Sequence, residues 1–384
     1  MSSGFIVPYE TQSTHGRVWV AWWSKLPRPP LALRIQNFSR PDTITQHAFG
    51  RSAGGDLIHY WWWAQQGWRA ENLTQYASIG SAFRIALDPV VINHGDGDAL
   101  TQHAFALNAS GDLIHYWWWA QQGWRAENLT RYANIGNAYR IAGDPAAINL
   151  QSGDMATQHA FARNAAGDLI HYWWWADQGW RAENLTQYAN IGSAYRIASE
   201  PAVINLQSGD TPTQHVFARN TAGDLIHYWW WAQQGWRAEN LTTEYPTIST
   251  GYRILGDPVV TNLHIGEVPT QHAFARNANG ELVHYYWSAQ QGWQAENLTT
   301  GYPSIGDRYR IASDPAVIRL RAGETPTQHA FARNANSELI HYYWSAQQGW
   351  QAENLTRHSS VGSAYRVAGA PVSASAYQDA EAIG

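Results

Sequence analysis

Three columns of residues recur along this chain with chemistry in them. Glu71, Glu127, Glu183, Glu239, Glu296 and Glu353 each precede Asn-Leu. Arg84, Arg140, Arg196, Arg253, Arg310 and Arg366 each sit in a Tyr/Phe-Arg-Ile/Val word. Trp68, Trp124, Trp180, Trp236, Trp293 and Trp350 each follow a glycine. An arginine and a carboxylate beside an aromatic plane are what a sugar pocket needs. The charges hold hydroxyls in fixed directions, and the ring covers the apolar C–H face of the sugar. These columns are the candidate ligand-binding set. The same residues also fit a plainer reading, in which Arg and Glu tie loops together and Trp packs in a core.

Two further columns are histidines: His47, His103, His159, His215, His272, His329, and His59, His115, His171, His227, His284, His341. They fall on neighbouring strands and can face each other across a hairpin if the register allows. A zinc site needs three or four converging ligands, and each repeat offers two. A buried histidine bonded to its neighbour or to backbone is therefore expected, with no metal and no cofactor. The chain has no cysteine, which removes disulfides and thiolate metal sites. No Gly-Ser-Gly elbow and no phosphate-binding glycine loop is present. Near-identical repeats also lack the unique set of unlike residues that catalysis requires, so an enzyme is not expected.

The elements that must position these columns follow from a fixed period. A Gln-His pair recurs at Gln46, Gln102, Gln158, Gln214, Gln271 and Gln328, in steps of 56, 56, 56, 57 and 57 residues. Such a period marks a solenoid, propeller or array. Within it lie four short strand-like runs, at 201–205, 158–163, 168–175 and 180–186, separated by Gly- and Asn-containing turn signals. The Asn-Leu-Thr word is read as part of the fourth run. No long helical stripe appears. Four strands per repeat predict an all-β fold, a β-propeller of four-stranded antiparallel blades.

The third run alternates between faces. Its middle tryptophan is kept in every copy: Trp62, Trp118, Trp174, Trp230, Trp287 and Trp344. That column predicts core between blades. Its neighbours vary, with Trp61 becoming Tyr286 and Tyr343, and Trp63 becoming Ser288 and Ser345. A position that tolerates Trp and Ser predicts an exposed rim.

The ends look complementary. Residues 17–24 align with a third strand, and Leu33-Arg34-Ile35 echoes the Tyr-Arg-Ile approach to a first strand. Near the C-terminus, Tyr365-Arg366-Val367 and Ala370-Pro371-Val372 repeat the approach and first strand. Pairing of these ends would close a ring and leave no open sheet edge. The expectation is one domain over 1–384 with seven blades. Six blades with an N-terminal hairpin is the alternative.

The net charge of −5 argues against nucleic acid, which favours a basic face. No apolar run is long enough for a membrane-spanning helix, so membrane insertion is not expected. The N-terminus shows no secretory signal pattern. The expected location is cytoplasmic, or outside after release by a non-classical route. Self-association stays open.

The run His215-Val-Phe-Ala-Arg-Asn-Thr-Ala-Gly-Asp-Leu-Ile-His-Tyr-Trp-Trp230, followed by Gly235-Trp236 and Glu239-Asn240-Leu241, resembles the blades of bacterial and fungal propeller lectins. These are the seven-bladed fucose-binding lectins of insect-associated bacteria and, more loosely, tectonin-type and six-bladed fungal fucose lectins. The resemblance covers essentially the whole chain as a blade pattern. It implies a multivalent carbohydrate-binding protein for glycans or glycoconjugates, with fucose or a methylated sugar as ligand. The Gln-His pair and the triple Trp match no sugar site of those lectins. A non-catalytic interaction or structural propeller is the alternative.

Overall fold

Each repeat folds into four antiparallel strands because its β-branched and aromatic runs are cut by turns that glycine makes possible. The computed structural model describes residues 19–20, 34–40, 43–63, 66–94, 101–152, 155–208, 211–265, 268–322, 325–358, 361–371 and 373–374. In the third repeat the strands are Ala146–Ser152, Met155–Arg163, Leu169–Trp175 and Gly179–Asn184, paired in sequence order. At the turn before the third strand, Gly167 adopts φ +83°, and a Cβ there would meet Ile197 O at 2.7 Å. Only glycine satisfies both conditions without strain. The last repeat keeps this turn with Ser337 at φ 62°.

Two expected boundaries shift. The first hairpin of the repeat extends through Ser152↔Met155, so its strands run longer than expected from sequence. The fourth strand ends at Asn184, and Leu185–Gln187 forms a single 3-10 turn. The Asn-Leu-Thr word is thus a strand end followed by a turn. There Thr186 Oγ1 accepts from Leu169 N–H at 2.9 Å.

Six such sheets form, over 34–72, 90–128, 146–184, 202–240, 259–297 and 316–354. One compact unit, residues 31–221 and 226–240, carries the first three and nearly all of the fourth. The other comprises residues 1–30, 222–225 and 241–384, and carries the fifth and sixth. It also holds a two-stranded antiparallel pair, Trp19–Val20 with Ser373–Ala374. A seventh four-stranded sheet is not formed by the described residues, so the expectation of seven blades is corrected to six sheets plus this pair. The segment around Leu33-Arg34-Ile35 is also corrected. Arg34–Arg40 is itself the first strand of the first sheet, because Arg34 lies in register with Phe49.

Sheets pack face to face within each unit. Phe105, Leu113 and Leu129 of the second sheet meet Ala160, Ala162, Ile170 and Tyr172 of the third. The small alanines leave room for the large rings opposite them. Equivalent clusters join the first sheet to the second, the third to the fourth, and the fifth to the sixth. A polar latch crosses each of these cores. Tyr172 Oη donates to Tyr139 O at 2.6 Å and lies 2.8 Å from Thr130 Oγ1. Thr130 in turn accepts from Leu113 N–H at 2.9 Å. The tyrosine proton is committed to the carbonyl, so the threonine hydroxyl donates to the tyrosine oxygen.

Thr130→Val keeps the shape of this residue but strands the buried Leu113 N–H. It is expected to cost about 1–3 kcal/mol, read as a lowered denaturation midpoint, whereas Thr130→Ser should cost less. Equal midpoints for wild type and Thr130→Val would remove the latch from the stability account. Deleting residues 370–384 removes the partner of Trp19–Val20 and is expected to lower the melting temperature. An unchanged melt would show that the terminal pairing contributes nothing.

Candidate functional site

The face-to-face packing decides where each candidate column goes. Glu127 and His115 are in register on adjacent strands, so their side chains share one face. His103 lies on that same face one diagonal step away. A continuous chain of hydrogen bonds results. His115 Nδ1 lies 2.7 Å from Glu127 Oε1, and His103 Nδ1 lies 2.8 Å from His115 Nε2. Gln158 Nε2 and Thr101 Oγ1 reach His103 Nε2 at 3.2 and 2.7 Å. The carboxylate only accepts, so His115 carries its proton on Nδ1. Its Nε2 then accepts from His103 Nδ1–H. Both rings are neutral in this arrangement.

Glu127 has two more donors. Trp180 Nε1 of the third sheet donates to Oε1 at 3.0 Å, and Tyr132 Oη donates to Oε2. Trp124 Nε1 does the same to Glu71 at 2.9 Å, and Trp350 Nε1 to Glu296 at 3.1 Å. Burial pushes the Glu127 carboxyl up, but the bonds from His115, Tyr132 and Trp180 outweigh it and hold it below its ordinary value. Burial drives His103 well below its ordinary value of 6.5, and the neighbouring His115 and His94 add to that. The shift places His47 at about 3 and His329 at about 4, again with burial as the largest cause.

The expected columns therefore separate. Trp124, Trp180, Trp236, Trp293 and Trp350 are buried, 3–6% exposed, while Trp68 is 47% exposed. The buried rings meet phenylalanine and histidine edge to face, as Trp180 does with Phe105 and His115. The Arg–Glu pair of the sequence reading does not form. The glutamates go to histidine, and the arginines go to the acid that precedes the third strand. Arg84 Nε binds Asp56 at 2.8 Å, Arg140 binds Asp112 at 3.0 Å, and Arg196 binds Asp168 at 2.7 Å. Arg253 binds Asp224 at 2.7 Å and Arg310 binds Glu281 at 3.0 Å. In the last repeat Arg357 takes Glu338 at 2.9 Å, and Arg366 is exposed. The physical reason is strand parity: Glu71 and Asn72 point to opposite faces, and Asn72 orients Asp56 at 2.9 Å on the arginine side. These arginines stay about half exposed, and Arg196 lines an open cavity of about 440 Å³ with Arg163, Ser193 and Asn220.

The rim expectation is met. Trp63, Trp119, Trp175 and Trp231 are 42–47% exposed. The middle tryptophans, among them Trp118, Trp174, Trp230 and Trp344, pack half-buried against the cores. Sequence reasoning missed the acids at Asp56, Asp112, Asp168 and Asp224, although an acid precedes Leu-Ile/Val in every copy. It also missed the arginine that follows the Gly-Trp pair in the first four repeats. Among the described residues no group of three His, Asp or Glu side chains could hold a metal ion. No described helix is long and apolar enough to cross a membrane.

A repeat family described as a repeat of unknown function (DUF346) matches residues 157–186, 213–251 and 270–301. No protein among the curated sequences matches this one. Solved structures do. A fucose-specific lectin from Aleuria aurantia superposes with a TM-score of 0.52 at 10% identity, over 91% of this chain and 97% of that one. A mutant of that lectin in complex with α-methyl-L-fucoside gives 0.51 at 11% identity, over 84% and 94%. Its complex with Fucα1-6GlcNAc gives 0.50 at 12% identity, over 84% and 94%. The present chain has a β-propeller fold. Its six sheets are blades, and the half-exposed tryptophans mark the end of each third strand in the first four.

The histidine pairs set a pH dependence. The folded values of His47, His59, His103, His115, His159, His171, His215, His272, His284 and His329 lie below the unfolded value of about 6.5, so the unfolded chain binds more protons below that pH. Stability is then fully present above about 6.5 and is lost as pH falls toward the folded values. Each such histidine contributes at most about 1.4 kcal/mol per pH unit. The glutamates act with the same sign below their ordinary range. The melting temperature is expected to fall steeply from pH 6.5 to 4.5, and His159→Gln should make that fall shallower. A flat profile would mean that the histidines are solvated and free to ionise.

Proposed function

We propose that the chain works as one domain over 1–384, a multivalent lectin that binds glycans at repeated sites on its blades. The pairing of Trp19–Val20 with Ser373–Ala374 would serve as its closure. The observation that carries this reading is the repeated exposed tryptophan rim at Trp63, Trp119, Trp175 and Trp231, on sheets whose other large rings are mostly buried. A large, rigid aromatic face left in water at the same place in each of the first four blades suits the apolar face of a sugar ring. The fold likeness to a fucose-specific lectin supports fucose, or a methylated sugar with a similar apolar face, as the ligand.

Of the positions singled out from sequence, Trp68 and the arginine column remain open to a ligand. Glu71 and its equivalents act behind the surface by holding the histidines and the buried tryptophans. Without a glycan ligand the same blades would serve as a protein-interaction scaffold.

Single sites are expected to be weak, with Kd from micromolar to millimolar, about −8 to −4 kcal/mol. A surface carrying many copies of the glycan would hold the protein far more tightly, because the later contacts are intramolecular. Trp119→Ser with Trp175→Ser introduces the residue that the chain itself uses at Ser288 and Ser345, so the fold should survive. Titration calorimetry should show two fewer sites in that variant. Trp124→Ala should instead lower stability by about 3–5 kcal/mol. An unchanged stoichiometry in the folded double variant would remove the rim from the site. No signal with any glycan, in calorimetry or on an array, would favour the scaffold reading.

A further inference from the structure

The rim tryptophans do not stand alone. In the second blade Trp117 is in register with Arg125, and Trp119 is in register with Gly123, all on one face. A Cβ at Gly123 would meet nothing within 4 Å, so the space beside Trp119 is open. The same register places Arg69 opposite Trp61, Arg181 opposite Trp173 and Arg237 opposite Trp229. Each arginine is at least partly exposed. Arg125 and Arg237 use one guanidinium nitrogen on the carbonyl of the preceding tryptophan, at 3.2 and 3.3 Å. Among the described residues none of these four arginines forms an ion pair. The arginines at Arg84, Arg140, Arg196 and Arg253, in contrast, each have an aspartate.

The last two blades change all three positions together. Trp, Trp and Arg become Tyr286, Ser288 and Gln294 in the fifth blade, and Tyr343, Ser345 and Gln351 in the sixth. The replacing glutamines turn back to their own hairpin, donating to Gln291 O at 3.2 Å and Gln348 O at 3.3 Å. Trp119 and its equivalents are exposed, and Trp117 is half-buried with its ring stacked on His115, a contact that Tyr286 keeps with His284, so packing on the histidine does not require the joint change. A shared ligand accounts for it.

We propose that the Trp–Arg rim of the first four blades selects acidic saccharides, sugars that bear a carboxylate or a sulfate on the stacked ring or its neighbour. The inference rests on the lectin reading above and names its ligand class. The tryptophan faces take the apolar side of the sugar. The guanidinium, which no described carboxylate meets, is a planar fork of donors and takes the acid group bidentately. The net charge of −5 offers polyanions no general attraction, so the preference must come from this local charge. The fifth and sixth blades, with Tyr, Ser and Gln, would take neutral sugars only. The third blade carries Asp177 in its rim turn where the second and fourth carry Gln121 and Gln233. Its acid preference is therefore the weakest of the four.

The test compares two matched pairs of probes: sulfated fucose oligosaccharides against their desulfated form, and oligogalacturonate against its methyl ester. Wild type should bind the acidic member of at least one pair tenfold or more tightly at low salt. Replacing Arg69, Arg125, Arg181 and Arg237 together by Gln should abolish that preference and leave neutral binding and the melting temperature unchanged. The pair that responds distinguishes sulfate from carboxylate. Equal binding of acidic and neutral forms by wild type would overturn this inference and leave the lectin reading standing. So would an acid preference that survives in the folded quadruple variant. Absence of binding to every glycan would overturn both.

Discussion

One contact ties each blade to the next within the compact units. The indole N–H of a buried tryptophan donates to a glutamate on the neighbouring sheet, as Trp180 does to Glu127. A buried carboxylate is costly unless its charge is met by donors. Here the donors are an indole, a phenol and a histidine, and none of them brings a full positive charge. The arrangement therefore fixes proton positions along the whole chain from Gln158 through His103 and His115 to Glu127. It also fixes the tryptophan ring that seals the core. If the glutamate moved, two histidines and two aromatic rings would lose their orientation together.

That constraint explains a division of labour among residues of one type. The tryptophan after glycine spends its N–H on the glutamate and its faces on Phe and His edges, so it packs inside. The tryptophans at the end of the third strand have no such partner sheet at their tips and stand in water. Arginine divides in the same way. The column at Arg140 is matched to an aspartate that is itself held by Asn128 at 2.8 Å, and it braces a turn. Among the described residues the column at Arg125 forms no ion pair, and it lies beside the exposed rings. Binding and bracing are thus carried by the same residue types at different strand positions.

The repeats tolerate drift where the replacement keeps the contact or where no partner in the fold depends on the residue. Tyr132, which donates to Glu127, is replaced by His358 in the last repeat, and His358 still reaches Glu353 at 3.0 Å. The histidine pair, the glutamate and the tryptophan after glycine are kept in every full copy. The rim changes as a group in the last two copies. A partner across a core demands one shape and one hydrogen-bond direction. A partner arriving from solvent need not be the same for every blade.

The sequence by itself determined the repeat, the four strands in each copy, the all-β class and the exposed tryptophan rim. The strands depend on local turn chemistry and on two-residue alternation, both visible in a single copy, and the rim emerges when copies are compared, because one position accepts both Trp and Ser. The two histidine columns were legible as neighbours but not as a bonded pair, since a shift of one residue would have turned them to opposite faces. Only the tertiary structure decided that Glu127 meets His115 and Trp180, that Arg140 goes to Asp112, and that five of the six Gly-Trp rings are buried. It also decided that the described residues make six four-stranded sheets and one short terminal pair. Those outcomes depend on which face of one sheet meets which face of the next. A column of identical residues reports that a position matters, and its spacing along the chain carries no record of the partner it meets across the core.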